Sequence, residues 1–204
     1  MKRSYVLLIV LFALPLLDVF YSCCNCNDDV VDHYYSFSDF SVKNIDNSGQ
    51  NPLESEQEEI NKNAYGIRLY INKELLSNSE KSTNNKCYLF SSSAYAFSCD
   101  CDFSSYNLVN PIQSIKIFTL QDFNNEKLAN SDISEYFNVI HTYKTVEESI
   151  EDINKVFNRT SLDIFVDYLL MNAPSPENIN HQFRVEITLE NEEIINLETI
   201  ITLI

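Results

Sequence analysis

Phe183-Arg184-Val185-Glu186-Ile187-Thr188-Leu189, a turn over Glu190 to Glu193, and a return from Ile194 to Leu203 decide the fold. Phe183, Val185, Ile187 and Leu189 are apolar and alternate with Arg184, Glu186 and Thr188. Successive side chains of a strand point to opposite faces, so a period of two marks a strand with one buried face. The polar turn and the apolar return make the pair a C-terminal hairpin. The same rhythm recurs upstream. Tyr65, Ile67, Leu69 and Ile71 alternate with Gly66, Arg68, Tyr70 and Asn72. Within Leu162–Leu170, the residues Leu162, Ile164, Val166 and Tyr168 face one way. Ile112–Leu120, introduced by Asn110-Pro111, is predicted as a strand, and aromatic-rich Tyr34–Val42 as the first one. Cys87–Phe90 and Ala94–Cys99, joined by Ser91-Ser92-Ser93, are predicted as two shorter strands.

One segment reads as a helix. Thr145-x-x-Glu148 is a capping box, in which the Thr hydroxyl and the Glu carboxylate each satisfy an orphan backbone N–H. Behind it Val146, Ile150, Ile153 and Phe157 recur at helical spacing, which predicts a helix over 146–157 with one face in the core. Residues 43–63, 77–86 and 121–132 are polar and read as loops, the first with room for one helical turn. Asp132–Ile140 reads as a short helical turn with Ile133, Phe137 and Ile140 on one face, and Ala173-Pro174-Ser175-Pro176 breaks the chain. The expected fold is mainly β, an antiparallel β-sandwich, Ig-like or similar, with one or two short helices. The alternative is an α+β sheet with the helix on one face.

The N-terminus gives an address. Lys2 and Arg3 precede a nearly unbroken apolar run from Tyr5 to Leu17, and Phe20-Tyr21-Ser22-Cys23 follows. That order is a secretory signal peptide over residues 1–22. The run is shorter than the roughly 20 apolar residues needed to cross a bilayer. A small residue ahead of a cysteine resembles a bacterial lipoprotein signal, which implies a lipidated Cys23, with Cys24 as the alternative. Residues 23–33 are short and acidic and read as a tether, and 34–204 as a single domain. Asp28, Asp29 and Asp32 resemble the surface-export signal of Bacteroidetes lipoproteins; the plain alternative is a solvated linker.

The whole frame resembles small Bacteroidetes-type lipoproteins of unknown function. The residues that carry the resemblance are Ser22-Cys23-Cys24-x-Cys26 with acids behind it, Ile115-Lys116-Ile117-Phe118-Thr119-Leu120-Gln121-Asp122-Phe123-Asn124, and His181-Gln182-Phe183-Arg184-Val185. It implies a β-sandwich lipoprotein and carries over no catalytic residue.

A net charge of −16 argues against nucleic acid or anionic lipid as a partner through a general field. Contact with the lipid bilayer is expected through the acyl anchor, at the outer membrane, facing either the cell surface or the periplasm. With 2 glycines and no Gly-x-Gly-x-x-Gly or Gly-Lys-Ser/Thr string, the usual nucleotide loops are not expected. Six cysteines in an exported chain imply disulfides. Cys87 is expected to pair with Cys99 or Cys101, which flank the predicted hairpin, leaving Cys26 to staple the tether to the body. Cys24-x-Cys26 and Cys99-x-Cys101 miss the two-to-four residue gap of structural zinc sites, so no metal or other cofactor is expected. Asp100-x-Asp102-x-Ser104 opens like a calcium loop, but Ser105 replaces its glycine and Pro111 its closing glutamate.

His33, His141 and His181 show no metal-ligand spacing, and no Gly-x-Ser-x-Gly elbow occurs. Asp163 and Asp167 share a strand face about 13 Å apart along the backbone, too far for a glycosidase pair, and are read as solvent-facing charges. No catalytic residue is therefore assigned. The expected function is a membrane-anchored binding or interaction module at the cell envelope, with a glycan or an envelope protein as partner. Tyr34, Tyr35, Tyr65 and Tyr70 are the candidate contact residues. A structural or accessory subunit of an envelope complex is the alternative, with a hydrolase behind both.

Overall fold

The computed structural model describes residues 31–79, 104–157, 164–175 and 179–204. The chain divides into two compact units, one holding His33–Asn78 with Tyr106–Ile204 and the other Met1–Asp32 with Ser79–Ser105. In the second unit the Ser105 hydroxyl donates to the Asp32 carboxylate. The first unit carries the body of the fold described below.

Among the described residues ten strands form two sheets. In the first, β1 (Val31–Asp46), β2 (Leu53–Glu54), β4 (Tyr65–Ser79), β7 (Phe137–Val139) and β8 (Ile164–Leu170) lie in the order β2-β1-β4-β8-β7. A further strand, β5 (Ser104–Leu108), also pairs with β1. The second sheet runs β3-β10-β9-β6, built from β3 (Glu59–Ile60), β6 (Ile112–Thr119), β9 (Asn180–Leu189) and β10 (Ile194–Leu203). Its neighbours are antiparallel except β3, which lies parallel to β10. The protein is therefore mainly β, with antiparallel sheets in a sandwich-like arrangement and, among the described residues, one α-helix, α1 (Val146–Phe157).

The C-terminal hairpin has the expected register. Phe183 opposes Thr199 and Ile187 opposes Ile195, and burial along β9 alternates without a break from His181 to Leu189. Its inward residues Phe183, Val185 and Ile187 are fully buried. Each such side chain contributes roughly 1.5–3 kcal/mol through removal from water. Across the core, Tyr65 of β4 stacks on Phe183 with ring centroids 5.4 Å apart, and Phe137 of β7 meets Phe183 edge-on. Burial pushes the Tyr65 phenol well above its ordinary value, so it stays neutral and donates. Its hydroxyl gives a 2.9 Å bond to Asn44 Oδ1, which also accepts from the Thr199 hydroxyl. Asn44 Nδ2 in turn donates to the Ile200 carbonyl of β10. One asparagine of β1 thus ties the two sheets together around a buried phenol.

Helix α1 closes the side of the sandwich between β6 and β7. Asn154 holds both backbone groups of Ile112, accepting from its N–H and donating to its carbonyl. Ser149 donates to the Val146 carbonyl, so the buried Tyr168 phenol donates to Ser149 in the bond between them. The capping box forms as read. The Thr145 N–H donates to Glu148 Oε2 and the Glu148 N–H to Thr145 Oγ1.

Several boundaries differ from the sequence reading, among them the start of β1 at Val31, inside the stretch read as tether, and β5, which no alternation marks. β1 runs to Asp46 and β4 to Ser79, both further than their apolar alternation. Residues 43–63 hold the two short strands β2 and β3 rather than a helical turn, and after one 3-10 turn at Ser134–Tyr136 the segment 132–140 becomes strand β7. The predicted strands Cys87–Phe90 and Ala94–Cys99 lie outside the described residues. So do all six cysteines, and with them the lipidation and disulfide expectations.

Gly66 sits where β4 passes between β1 and β8. A Cβ there would lie 2.6 Å from the Tyr168 carbonyl oxygen and 2.9 Å from both Ile45 Cγ1 and Leu169 Cδ2. Gly66→Ala is expected to cost about 1–3 kcal/mol by overpacking, read as a lower urea midpoint at unchanged slope. The cap makes a second prediction. The Thr145 backbone N–H holds Glu148 below the usual carboxylate range. A carboxylate lowered in the folded state stabilises above its unfolded value and loses that effect as pH falls through the lowered one. Glu148→Ala should therefore lower the melting temperature at neutral pH, and the gap should close on acidification.

Candidate functional site

Three segments meet on the outer face of the first sheet. The turn after β1 supplies Asn47, Gly49 and Gln50. Strand β7 and the turn behind it supply Asn138, Val139, Ile140, His141 and Tyr143, and the end of β8 supplies Leu169 and Met171. They line a cleft of about 290 Å³, at the small end of ligand sites. Leu169 floors it and occupies the space that the missing Cβ of Gly66 leaves free. The close approach of β4 to β8 at Gly66 thus lies beneath the cleft.

The chemistry of this lining is unusual for the chain. No Asp, Glu, Lys or Arg lines it, although 22 % of all residues are charged. Its polar groups are three primary amides, an imidazole and a phenol. Asn47 and Asn138 are half-buried, while Gln50, His141 and Tyr143 are exposed. Among the described residues none of these five side chains makes a hydrogen bond or ring contact to the protein, so their donors and acceptors remain available.

The turn over 140–144 is held open by its backbone. The Val139 N–H donates to the Lys144 carbonyl at 2.8 Å and the Tyr143 N–H to the Val139 carbonyl at 3.0 Å. Lys144 is fixed on its far side by an ion pair with Asp152 of α1. Closing so short a turn puts His141 at φ 63° and Tyr143 at φ 57°. Neither glycine of the chain has a positive φ, so other residues take these positions. Asn110 and Asn130 adopt the left-handed region, which asparagine tolerates. Tyr143 is a poor choice there, at about 1–2 kcal/mol for a residue with a Cβ. The residue is nonetheless 77 % exposed.

The residues expected from sequence fall elsewhere. Tyr65 and Tyr35 are buried, Tyr65 in the core and Tyr35 beside Tyr106, with the Lys73 ammonium 4.4 Å from its ring. Tyr70 donates to the Glu54 carboxylate. Of the four, only Tyr34 is exposed, at 37 %. The three histidines do not converge on one lining. His33 stacks on Tyr106, His181 is buried against Phe123 and Phe183, and His141 alone lies in the cleft. Among the described residues no three His, Cys, Asp or Glu side chains gather as metal ligands.

Asp167 corrects a second expectation. It is buried at 4 % exposure rather than facing solvent, because Arg68 stands directly opposite it across β4 and β8. Arg68 Nε and Nη2 donate to its two oxygens at 2.6 and 2.8 Å, and the Phe165 ring lies 4.3 Å from the guanidinium carbon. The carboxylate holds Arg68 above its ordinary value, and Glu54 adds a contact at 3.5 Å. Asp163 lies outside the described residues. The charges of this face are thus spent on one another, two residues along β8 from the cleft floor. Asp167→Ala leaves the half-buried Arg68 guanidinium with only the 3.5 Å Glu54 contact and should cost about 1–3 kcal/mol in chemical denaturation. Replacing Arg68 and Asp167 together by apolar residues should cost less than that single change.

The fold and the site define a two-sheet β domain that presents one small uncharged cleft. The chain belongs to the DUF5034 family, whose model, described as a domain of unknown function, matches residues 37–199. A comparison with curated proteins found no match, and a comparison with solved structures found none.

Proposed function

We propose that the chain is an exported, lipid-anchored binding module that holds an uncharged ligand in the cleft between the 47–50 and 140–143 turns. Support for the anchor comes from the leader and Cys23. Support for binding rather than catalysis comes from the lining, whose amides, phenol and imidazole hold a ligand by hydrogen bonds and contact.

The observation that carries the reading is the lining itself: three primary amides, an imidazole and a phenol meet in one cleft with no charged side chain among them. A single acyl chain holds a protein only marginally, so the mature N-terminus is expected to carry more than one.

Treating intact cells with a non-permeant protease tests the address. The account expects loss of the mature chain while a periplasmic control survives. Survival until the outer membrane is opened would contradict surface display and favour an accessory role with envelope partners. A Cys23→Ser, Cys24→Ser chain should lose acyl labelling and appear in the soluble fraction.

A further inference from the structure

The lining also specifies a ligand class, and this step rests on the cleft being the binding site. We infer that the cleft takes one neutral sugar ring, stacked on Tyr143, with its hydroxyls held by Asn47, Gln50 and Asn138.

A sugar hydroxyl both donates and accepts. A primary amide offers both functions on one side chain, so three amides around a small cleft match a ring of hydroxyls. Carboxylates, phosphates and amines are instead selected by charge-assisted pairs, and no charged side chain lines this cleft. A pyranose also has an apolar C–H face, for which the exposed Tyr143 ring is a flat partner, with Leu169 and Met171 apolar beside it. The volume of about 290 Å³ suits one ring rather than a long oligomer buried along its length.

The strained turn is the independent observation. Tyr143 has a positive φ that glycine would adopt freely, and its exposed side chain makes no hydrogen bond or ring contact among the described residues. Strain that buys no packing is found where a side chain is displayed for use. His141, also at positive φ, brings its imidazole to the same rim. The two residues are thus held in costly conformations on either side of Thr142, and both line the cleft.

Saturation-transfer NMR on the full-length chain in detergent tests this. The probes are the methyl glycosides of glucose, galactose, mannose and N-acetylglucosamine, with glucuronate and glucosamine as charged counterparts. N-acetyl-seryl-glycine amide represents a neutral peptide. At least one neutral glycoside should bind in the millimolar range expected of so small a ligand, and the charged sugars more weakly. Tyr143→Gly should weaken that binding about tenfold while its melting temperature stays level or rises, since glycine relieves the turn. Tyr34→Ala, at the exposed tyrosine outside the cleft, should leave binding unchanged. Absence of transfer to every neutral glycoside overturns the inference, as does equal binding of the charged sugars or indifference to Tyr143→Gly. Peptide transfer that Tyr143→Gly abolishes, without sugar transfer, overturns the sugar assignment and leaves the cleft standing as a binding site.

Discussion

A buried phenol needs a partner, and the answer to that need at Tyr65 organises the molecule. Its ring stacks on Phe183 in the middle of the core, where water cannot reach its hydroxyl. Left unpaired, a buried hydroxyl would cost on the order of 1–3 kcal/mol. Asn44 accepts from it, accepts again from Thr199 and donates to the Ile200 carbonyl. The asparagine uses both lone pairs of its oxygen and one N–H, and so locks β1 of one sheet to β10 of the other. Stacking alone would let the sheets slide; the directional bonds fix their register at this end.

That lock also places the candidate site. Asn47 follows Asn44 by three residues, and its N–H donates to the Ala64 carbonyl just before β4. The 47–50 turn is therefore pinned where β1 meets the start of β4. On the same face Gly66 lets Ile45 and Leu169 close over the sheet, and Leu169 becomes the cleft floor. The opposite wall depends on α1, whose capping box at Thr145 begins where the 140–144 turn ends. Core, cap and cleft form one chain of dependence. Changes at Asn44 or Gly66 are accordingly expected to disturb the wall formed by 47–50 before the wall formed by 140–143.

Most of this architecture was legible in the residues. Strict alternation in 183–189 and 65–71 decided the sheets, and Thr145-x-x-Glu148 decided where the helix starts. The continuations of β1 and β4 were not legible, because Lys43, Asn44, Lys73 and Glu74 are polar and their strands are held by neighbours distant in sequence. Asn44 read as loop for the same reason, although it carries the inter-sheet bonds. Asp167 read as exposed because the alternation put it on an outer face, and nothing local showed that Arg68 would stand opposite. The cleft was the least legible feature. Aromatic residues inside strands drew attention to Tyr65 and Tyr70, yet alternation places Tyr65 in the core. Tyr143 belongs to no periodic pattern, and in hindsight that is its signal: a tyrosine in a short turn, just before a helix cap, in a chain too poor in glycine to spare one there.

The most direct test of the account is a crystal structure of the protein grown with a neutral methyl glycoside. The account predicts the sugar flat against the Tyr143 ring, with hydroxyls within hydrogen-bond reach of the Asn47, Gln50 and Asn138 amides. A sugar seated elsewhere on the protein, or a cleft filled by protein side chains with no room for a ring, would contradict it.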